Sequence, residues 1–323
     1  MSDRMPDIMA GLRMSTSRSR PPSLTLADAK PMPPLLAALR LPFLLLTPVC
    51  VALGWALAGP GADPLRALLV LTGALAAHGG VNLLNEWHDC RSGLDAMTLR
   101  TPFSGGSGAL PARPAAATMV GGAGAAMLVL TAGIGLWLLQ RSPALLPLGL
   151  LGLLLVTAYT PWITRHPWAC LLAPGLGFGP LMTAGTVVAL SGHFSAAAAM
   201  ASLTPMALVS GLLLLNQFPD VDADRRVGRR HLPLLRGRLW AARLLAGLLA
   251  AAYAAPLLGV ATGLLPPAAL LALATAPLAV VVAIGARRHA DQIPALLPTM
   301  GRNVALVLLT PLLMALGLGW SAT

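Results

Sequence analysis

Residues 196–220 read AAAAMASLTPMALVSGLLLLNQFPD, twenty-one residues without a charge that end on Asn216 and, four positions later, Asp220. About 20 such residues, rising 1.5 Å each, cross the hydrocarbon of a bilayer as a helix. A helix of a soluble core carries an apolar stripe and a charged back face; this segment has no charged face. It therefore reads as a membrane span with polar residues at its exit.

Working outward, the same signature recurs along the chain. Of 323 residues, 56% are hydrophobic and only 10% charged, and the mean hydropathy is +0.76. Nine segments qualify as spans: Pro34–Ala58, Pro64–Asn85, Ala116–Leu139, Ala144–Ile163, Trp168–Leu190, Ala196–Asn216, Leu239–Thr262, Pro266–Ala286 and Val304–Trp320. Glycine and proline inside them are tolerated in membrane helices. The expectation is an all-α polytopic membrane protein, one domain of nine spanning helices over residues 33–323. Residues 1–32, rich in Ser, Pro and Arg, lack the apolar stretch of a signal peptide and read as a disordered cytoplasmic tail.

Charge sets the topology. The net charge of +11 could suggest nucleic acid, but in a membrane chain the position of the cations matters more. With the N-terminus inside, 20 of the 22 basic residues fall on the cytoplasmic side, leaving Arg66 and Arg141 outside. The C-terminus is then outside. Trp55, Trp137 and Trp320 lie toward outer ends, and Trp87, Trp162, Trp168 and Trp240 at inner ends, as interfacial tryptophans should. A nucleic-acid partner is not expected. Cys50, Cys90 and Cys170 are scattered and support neither a zinc site nor a disulfide framework.

The acids are concentrated. Of the seven between Pro64 and Ile293, six form two clusters: Glu86, Asp89 and Asp95, and Asp220, Asp222 and Asp224. Both lie on the predicted cytoplasmic side, and both follow the same knot, LLNEWHD at 83–89 and LLNQFPD at 214–220. Ionisable groups at the end of a spanning helix are costly unless they serve a site. Positions three and four apart share a helix face, so Asn216, Asp220 and Asp224 form one predicted stripe, while Asp222 points elsewhere. Asn82, Asn85 or Glu86, and Asp89 form another, and Asp95 follows a turn at Gly93. Pro219 should break the helix just before Asp220.

Two oxygen-rich faces repel each other unless a cation lies between them. Asp, Glu and Asn ligands without His or Cys favour Mg²⁺, which is commonly shared with substrate phosphates. Arg91, Arg100, Arg225, Arg226, Arg229 and Arg230 flank the acids as candidate phosphate partners. The loop RTPFSGGSGAL, 100–110, has glycines that could aim backbone amides at an anion. A diphosphate head at the rim with a hydrocarbon tail in the bilayer suggests a prenyl diphosphate. A cation transporter using the acids as an ion site is the alternative from another class, although transporters bind nearer the midplane.

With both knots in place, NEWHDCRSGLD (85–95) and NQFPDVDADRRVGRRHLP (216–233), the chain resembles the UbiA superfamily of intramembrane aromatic prenyltransferases. That family carries an Asn-Asp-x-x-Asp-type motif after its second helix and an Asp-x-x-x-Asp motif after its sixth. The placement of Asp95 after Ser92 and Gly93, with AYTPWITR (158–165) and GLGFGPLMTAGT (175–186), is similar to the 1,4-dihydroxy-2-naphthoate polyprenyltransferases of menaquinone synthesis. Glu86 stands where the family usually has Asp, and the 166–174 segment lacks the usual Gly-Glu pair.

The resemblance implies Mg²⁺-dependent transfer of a prenyl group from a polyprenyl diphosphate to an aromatic acceptor. That acceptor would be 1,4-dihydroxy-2-naphthoate or a related ring such as 4-hydroxybenzoate or homogentisate. It implies metal and diphosphate binding by Asn85, Glu86, Asp89, Asp95, Asn216, Asp220 and Asp224. Arg100, Arg229 and Arg230, with Arg91 nearby, would take the leaving charge. Tyr159 and Arg40 would shape the cavity or hold the acceptor, or else anchor the interface. A bacterial-type inner membrane, with the site facing the cytoplasm, is the implied location.

Overall fold

The computed structural model describes residues 32–321, and among these no strand occurs. The tail expected over 1–32 lies, up to residue 31, outside the described residues. Eight helices are long and apolar enough to cross a membrane: α1 (Leu41–Ala58), α2 (Pro64–Ser92), α3 (Pro114–Leu139), α5 (Pro167–Ser191), α6 (Ala196–Asn216), α7 (Arg238–Ala261), α8 (Pro267–Arg288) and α9 (Ile293–Trp320). The remaining apolar helix, α4, covers only Leu145–Ala158. Its 14 residues reach about 21 Å, short of the roughly 30 Å of hydrocarbon. The nine expected spans are thus eight full ones and one short one. The reason is local, since Pro161 lies within the turn at 159–162 and has no amide to continue the ladder.

The most buried span is α6. Its Leu208, Leu212 and Leu215, with Phe218 just beyond, join Leu245 and Leu249 of α7 and Met300 and Leu306 of α9 in the main core. Close approach of α5 to α6 depends on glycine. A Cβ at Gly175 would collide with the Met206 carbonyl and the Ser210 hydroxyl, and one at Gly179 with the Ser202 carbonyl. Small residues at such crossings let membrane helices pack backbone to backbone. The middle of α5, Gly177–Ala184, is wound as a π-helix around Pro180, since proline cannot donate to the turn before it. Thr183 of this stretch donates to the Cys50 carbonyl of α1.

Two boundaries shape the site. Helix α2 continues unbroken to Ser92 and turns at Gly93, so Asn82, Asn85, Glu86 and Asp89 share one rod. Helix α6, by contrast, stops at Asn216, and Asp220 caps a separate short helix, Val221–Arg226. The expected single stripe through Asn216, Asp220 and Asp224 is therefore two elements joined at Pro219. Beyond the joint, the bond from the Asp224 amide to the Asp220 carbonyl at 2.9 Å opens the second helix.

Candidate active site

The polar ends of α2 and α6 open on a cavity of about 610 Å³. Its polar wall holds Asn85, Asp89 and Asp95 from one knot and Asn216, Asp220 and Asp224 from the other, with Arg40, Arg229 and Tyr159. Apolar side chains of α2, α3, α4 and α5, from Val70 and Leu138 to Leu155 and Leu181, form most of the rest, joined by Leu46 of α1, Leu212 of α6 and Val307 of α9. The structure thus brings together most of the side chains that the two motifs single out.

Arg229 joins the two knots. Its guanidinium pairs with Asp89 on α2 and with Asp224 Oδ1 at 3.1 Å. The repulsion expected between the clusters is thereby relieved in part by the chain itself. Asp224 Oδ2 lies 3.0 Å from His231 Nε2, and His231 Nδ1 accepts from the Leu234 amide at 3.3 Å. That second bond leaves the ring proton of a neutral His231 on Nε2, donated to Asp224. His231 is 1% exposed and was not singled out from the sequence; it lies seven residues beyond Asp224 among arginines, with no spacing to mark it.

Glu86 departs from expectation. Arg40 donates to its Oε1 through Nε at 3.1 Å and through the terminal nitrogen at 2.9 Å. The Ser107 amide reaches the same oxygen at 2.6 Å, and the Ser107 hydroxyl takes Oε2 at 2.8 Å. The carboxylate is fully buried and does not line the cavity. In this arrangement Glu86 serves as a structural anion, its carboxylate taken up by Arg40 and Ser107. The same bonds correct the reading of the glycine loop, whose Ser107 amide serves Glu86. Gly106 is required there, because a Cβ would sit 2.7 Å from Asp95 Oδ1 on a backbone with φ +73°.

The other arginines also divide. Arg100 is exposed, with its guanidinium packed over Gly108. Arg91 stacks on Trp87, 4.8 Å from the ring centroid. Arg230 is exposed and linked by its backbone amide to the Thr164 carbonyl. None of the three lines the cavity, unlike Arg40 and Arg229. Asp222 is a surface group 3.7 Å from Arg225. The loop after α4 touches both knots, since Asn85 donates to the Thr160 hydroxyl at 3.1 Å and the Thr164 carbonyl accepts from Arg230.

Three buried oxygens, Asp95 Oδ2, Asn216 Oδ1 and Asp220 Oδ1, have no partner among the described residues. Burial, with Glu86 and Asp89 nearby, raises the Asp95 carboxyl to about 7. Burial and Asp224 raise Asp220 to about 7. Among the described residues no three acidic, His or Cys side chains form a complete metal cage. An incomplete oxygen set with orphaned acceptors fits Mg²⁺, which keeps water or shares phosphate oxygens, better than it fits a metal bound by protein alone.

A helical membrane bundle whose apolar cavity opens onto two facing amide–carboxylate clusters has the architecture of an intramembrane prenyltransferase. The chain belongs to the UbiA prenyltransferase family, whose profile matches residues 45–300. A UbiA homologue from Archaeoglobus fulgidus, solved bound to GPP and Mg²⁺, is similar at 15% identity and TM-score 0.62, over 88% of this chain and 99% of that one. The apo structure of a UbiA homologue from Aeropyrum pernix K1 is similar at 21% identity and TM-score 0.61, over 89% and 98%. A digeranylgeranylglyceryl phosphate synthase is similar at 16% identity and TM-score 0.58, over 88% and 97%. No curated protein matches the chain in sequence.

Proposed function

We propose that this prenyltransferase moves a prenyl group from a polyprenyl diphosphate to an aromatic acceptor, 1,4-dihydroxy-2-naphthoate in a menaquinone-type pathway. One observation carries the reading: two clusters far apart in sequence converge at the polar end of an otherwise apolar cavity. A diphosphate suits the clusters, and a hydrocarbon tail suits the apolar wall of α3 and α4. The homologue solved with GPP and Mg²⁺ supports the donor class and the metal. The naphthoate assignment rests on the sequence around Asp95, AYTPWITR and GLGFGPLMTAGT.

Asn85, Asp89, Asp95, Asn216, Asp220 and Asp224 would hold Mg²⁺ on the diphosphate. The metal would supply charge neutralisation as the allylic C–O bond breaks. Arg229 and Arg40, the cationic side chains of the wall, would stabilise the departing diphosphate; Arg100, Arg91 and Arg230, outside the cavity, would guide its approach to the rim. Asn85 and Tyr159 would bound the space where the acceptor carbon meets the allylic cation. The apolar walls would exclude water, and loss of the ring proton or of carbon dioxide would restore aromaticity. The distribution of arginines favours an N-terminus inside, a C-terminus outside and a site facing the cytoplasm. Residues 33–323 would form the catalytic domain, with residues 1–32 a cytoplasmic tail.

The test supplies purified protein with geranyl diphosphate and 1,4-dihydroxy-2-naphthoate, with and without Mg²⁺, and follows prenylated product and pyrophosphate. Product that depends on Mg²⁺ and disappears in Asp220→Asn is expected. Full turnover in chelator, or in that variant, would refute the mechanism. Turnover with 4-hydroxybenzoate alone would keep the reaction and change the acceptor.

A further inference from the structure

His78 lies on α2, on the face shared by Asn82, Asn85 and Asp89 at helical spacing. Seven residues place it about 10 Å along the axis beyond Asn85, on the apolar side of the clusters, where it lines the cavity. A histidine at that depth in a membrane helix marks function by default. Its surroundings look built. Thr47 of α1, wholly buried, places its hydroxyl 2.8 Å from His78 Nδ1. Phe178, in the π-wound part of α5, meets the imidazole edge to face, 4.8 Å between centroids.

The Thr47 hydroxyl bonds nothing else among the described residues, and with its hydrogen directed at Nδ1 the proton of a neutral ring sits on Nε2. Nε2 makes no bond among the described residues, and it is not among their buried unpartnered atoms. The other polar side chains of the deeper wall are already engaged. Thr131 and Thr186 donate to the carbonyls of Met127 and Met182 at 2.9 and 2.7 Å. His78 therefore offers an N–H donor to the deep cavity beside a flat aromatic wall.

We infer that His78 selects the acceptor, donating Nε2–H to a hydroxyl or phenolate oxygen on an aromatic ring that rests against Phe178. The inference rests on the prenyl-transfer reading. It gives the acceptor a chemical requirement, an oxygen substituent on the end of the ring pointing away from the diphosphate. Thr47 is a positioning residue that holds the tautomer. A site that hydrogen-bonds a substrate oxygen discriminates strongly against analogues without it.

The experiment measures steady-state kinetics of wild type, His78→Leu, His78→Gln and Thr47→Val. Geranyl diphosphate and Mg²⁺ are used with 1,4-dihydroxy-2-naphthoate or 4-hydroxybenzoate as acceptor probe. His78→Leu is expected to lower acceptor kcat/KM on the order of 10- to 100-fold and to leave the KM for geranyl diphosphate unchanged. His78→Gln, which restores an N–H near the same point, should recover most of that loss. Thr47→Val should lower the same constant by a smaller factor, and it decides the matter where His78→Leu fails to fold. Acceptor kcat/KM within twofold of wild type in the folded variants, or equal effects on donor and acceptor, would overturn the role of His78 alone. A wild type that prenylates neither probe would overturn the underlying reading and this inference with it.

Discussion

Asp89 of α2 and Asp224 beyond α6 are held by one guanidinium, that of Arg229. Each belongs to a different acidic cluster, so this shared cation is what closes the two clusters on each other. All three side chains are largely buried. Removing one member of a buried ionic cluster leaves uncompensated charge, at a cost of about 3–5 kcal/mol. Arg229→Ala should therefore lower the thermal midpoint in detergent and abolish prenyl transfer. Arg229→Lys, a point charge that cannot bridge two carboxylates in a fork, should fold better yet stay at least tenfold impaired. Wild-type kcat in Arg229→Lys would show that the bridge is dispensable.

Glu86 provides the contrast. Its carboxylate answers Arg40 and Ser107 and does not reach the cavity. Glu86→Gln should reduce thermal stability, because Arg40 loses its counter-charge, while the Mg²⁺ concentration giving half-maximal activity stays within about twofold. Asp95→Asn should do the reverse and weaken Mg²⁺ dependence severalfold in a protein that remains folded. An exchange of these two phenotypes would return Glu86 to the metal site.

Much of this arrangement could be read from the sequence, and the remainder could not for physical reasons. Helix existence, the clustering of acids and the break at Pro219 follow from apolar length, rarity of charge and proline chemistry, all local properties. The short α4 depends on a turn at 159–162 whose strength no hydropathy window measures. The fate of Glu86 depends on Arg40, 46 residues away, whose own backbone is left-handed at φ 53°. His231 and Ser107 are pairings made by tertiary structure alone. The glycines of the 100–110 loop allow an anion cradle, but the Ser107 amide serves an anion of the protein itself.

His231 should behave as a support for Asp224. It donates Nε2–H to Asp224 Oδ2 and holds that tautomer through the Leu234 amide. His231→Phe removes the donor while filling the space, so kcat should fall roughly tenfold or more, in line with about 1.5–3 kcal/mol for a hydrogen bond to a charged group. His231→Gln should restore part of it. Unchanged kcat in His231→Phe would reduce this contact to packing.

Proton and metal should compete at Asp95 and Asp220. Both carboxyls sit at about 7, well above the ordinary 3.8, because burial and neighbouring acids disfavour their charged forms. Cation binding requires those forms, so protons must leave as the metal enters. Below pH 7 the acids hold their protons, and the half-saturating Mg²⁺ concentration should rise roughly tenfold to a hundredfold between pH 8 and pH 6. Stability without metal follows the opposite course. A raised carboxyl means that the folded protein binds more protons than the unfolded chain between about pH 4 and 7, so stability falls as pH climbs through that window. Thermal midpoints should therefore decline from about pH 5 to pH 7 without Mg²⁺, with most of the loss recovered on adding it. Asp220→Asn should flatten both trends, since its amide neither titrates nor repels Asp224. Parallel curves for wild type and Asp220→Asn would remove Asp220 from the metal site.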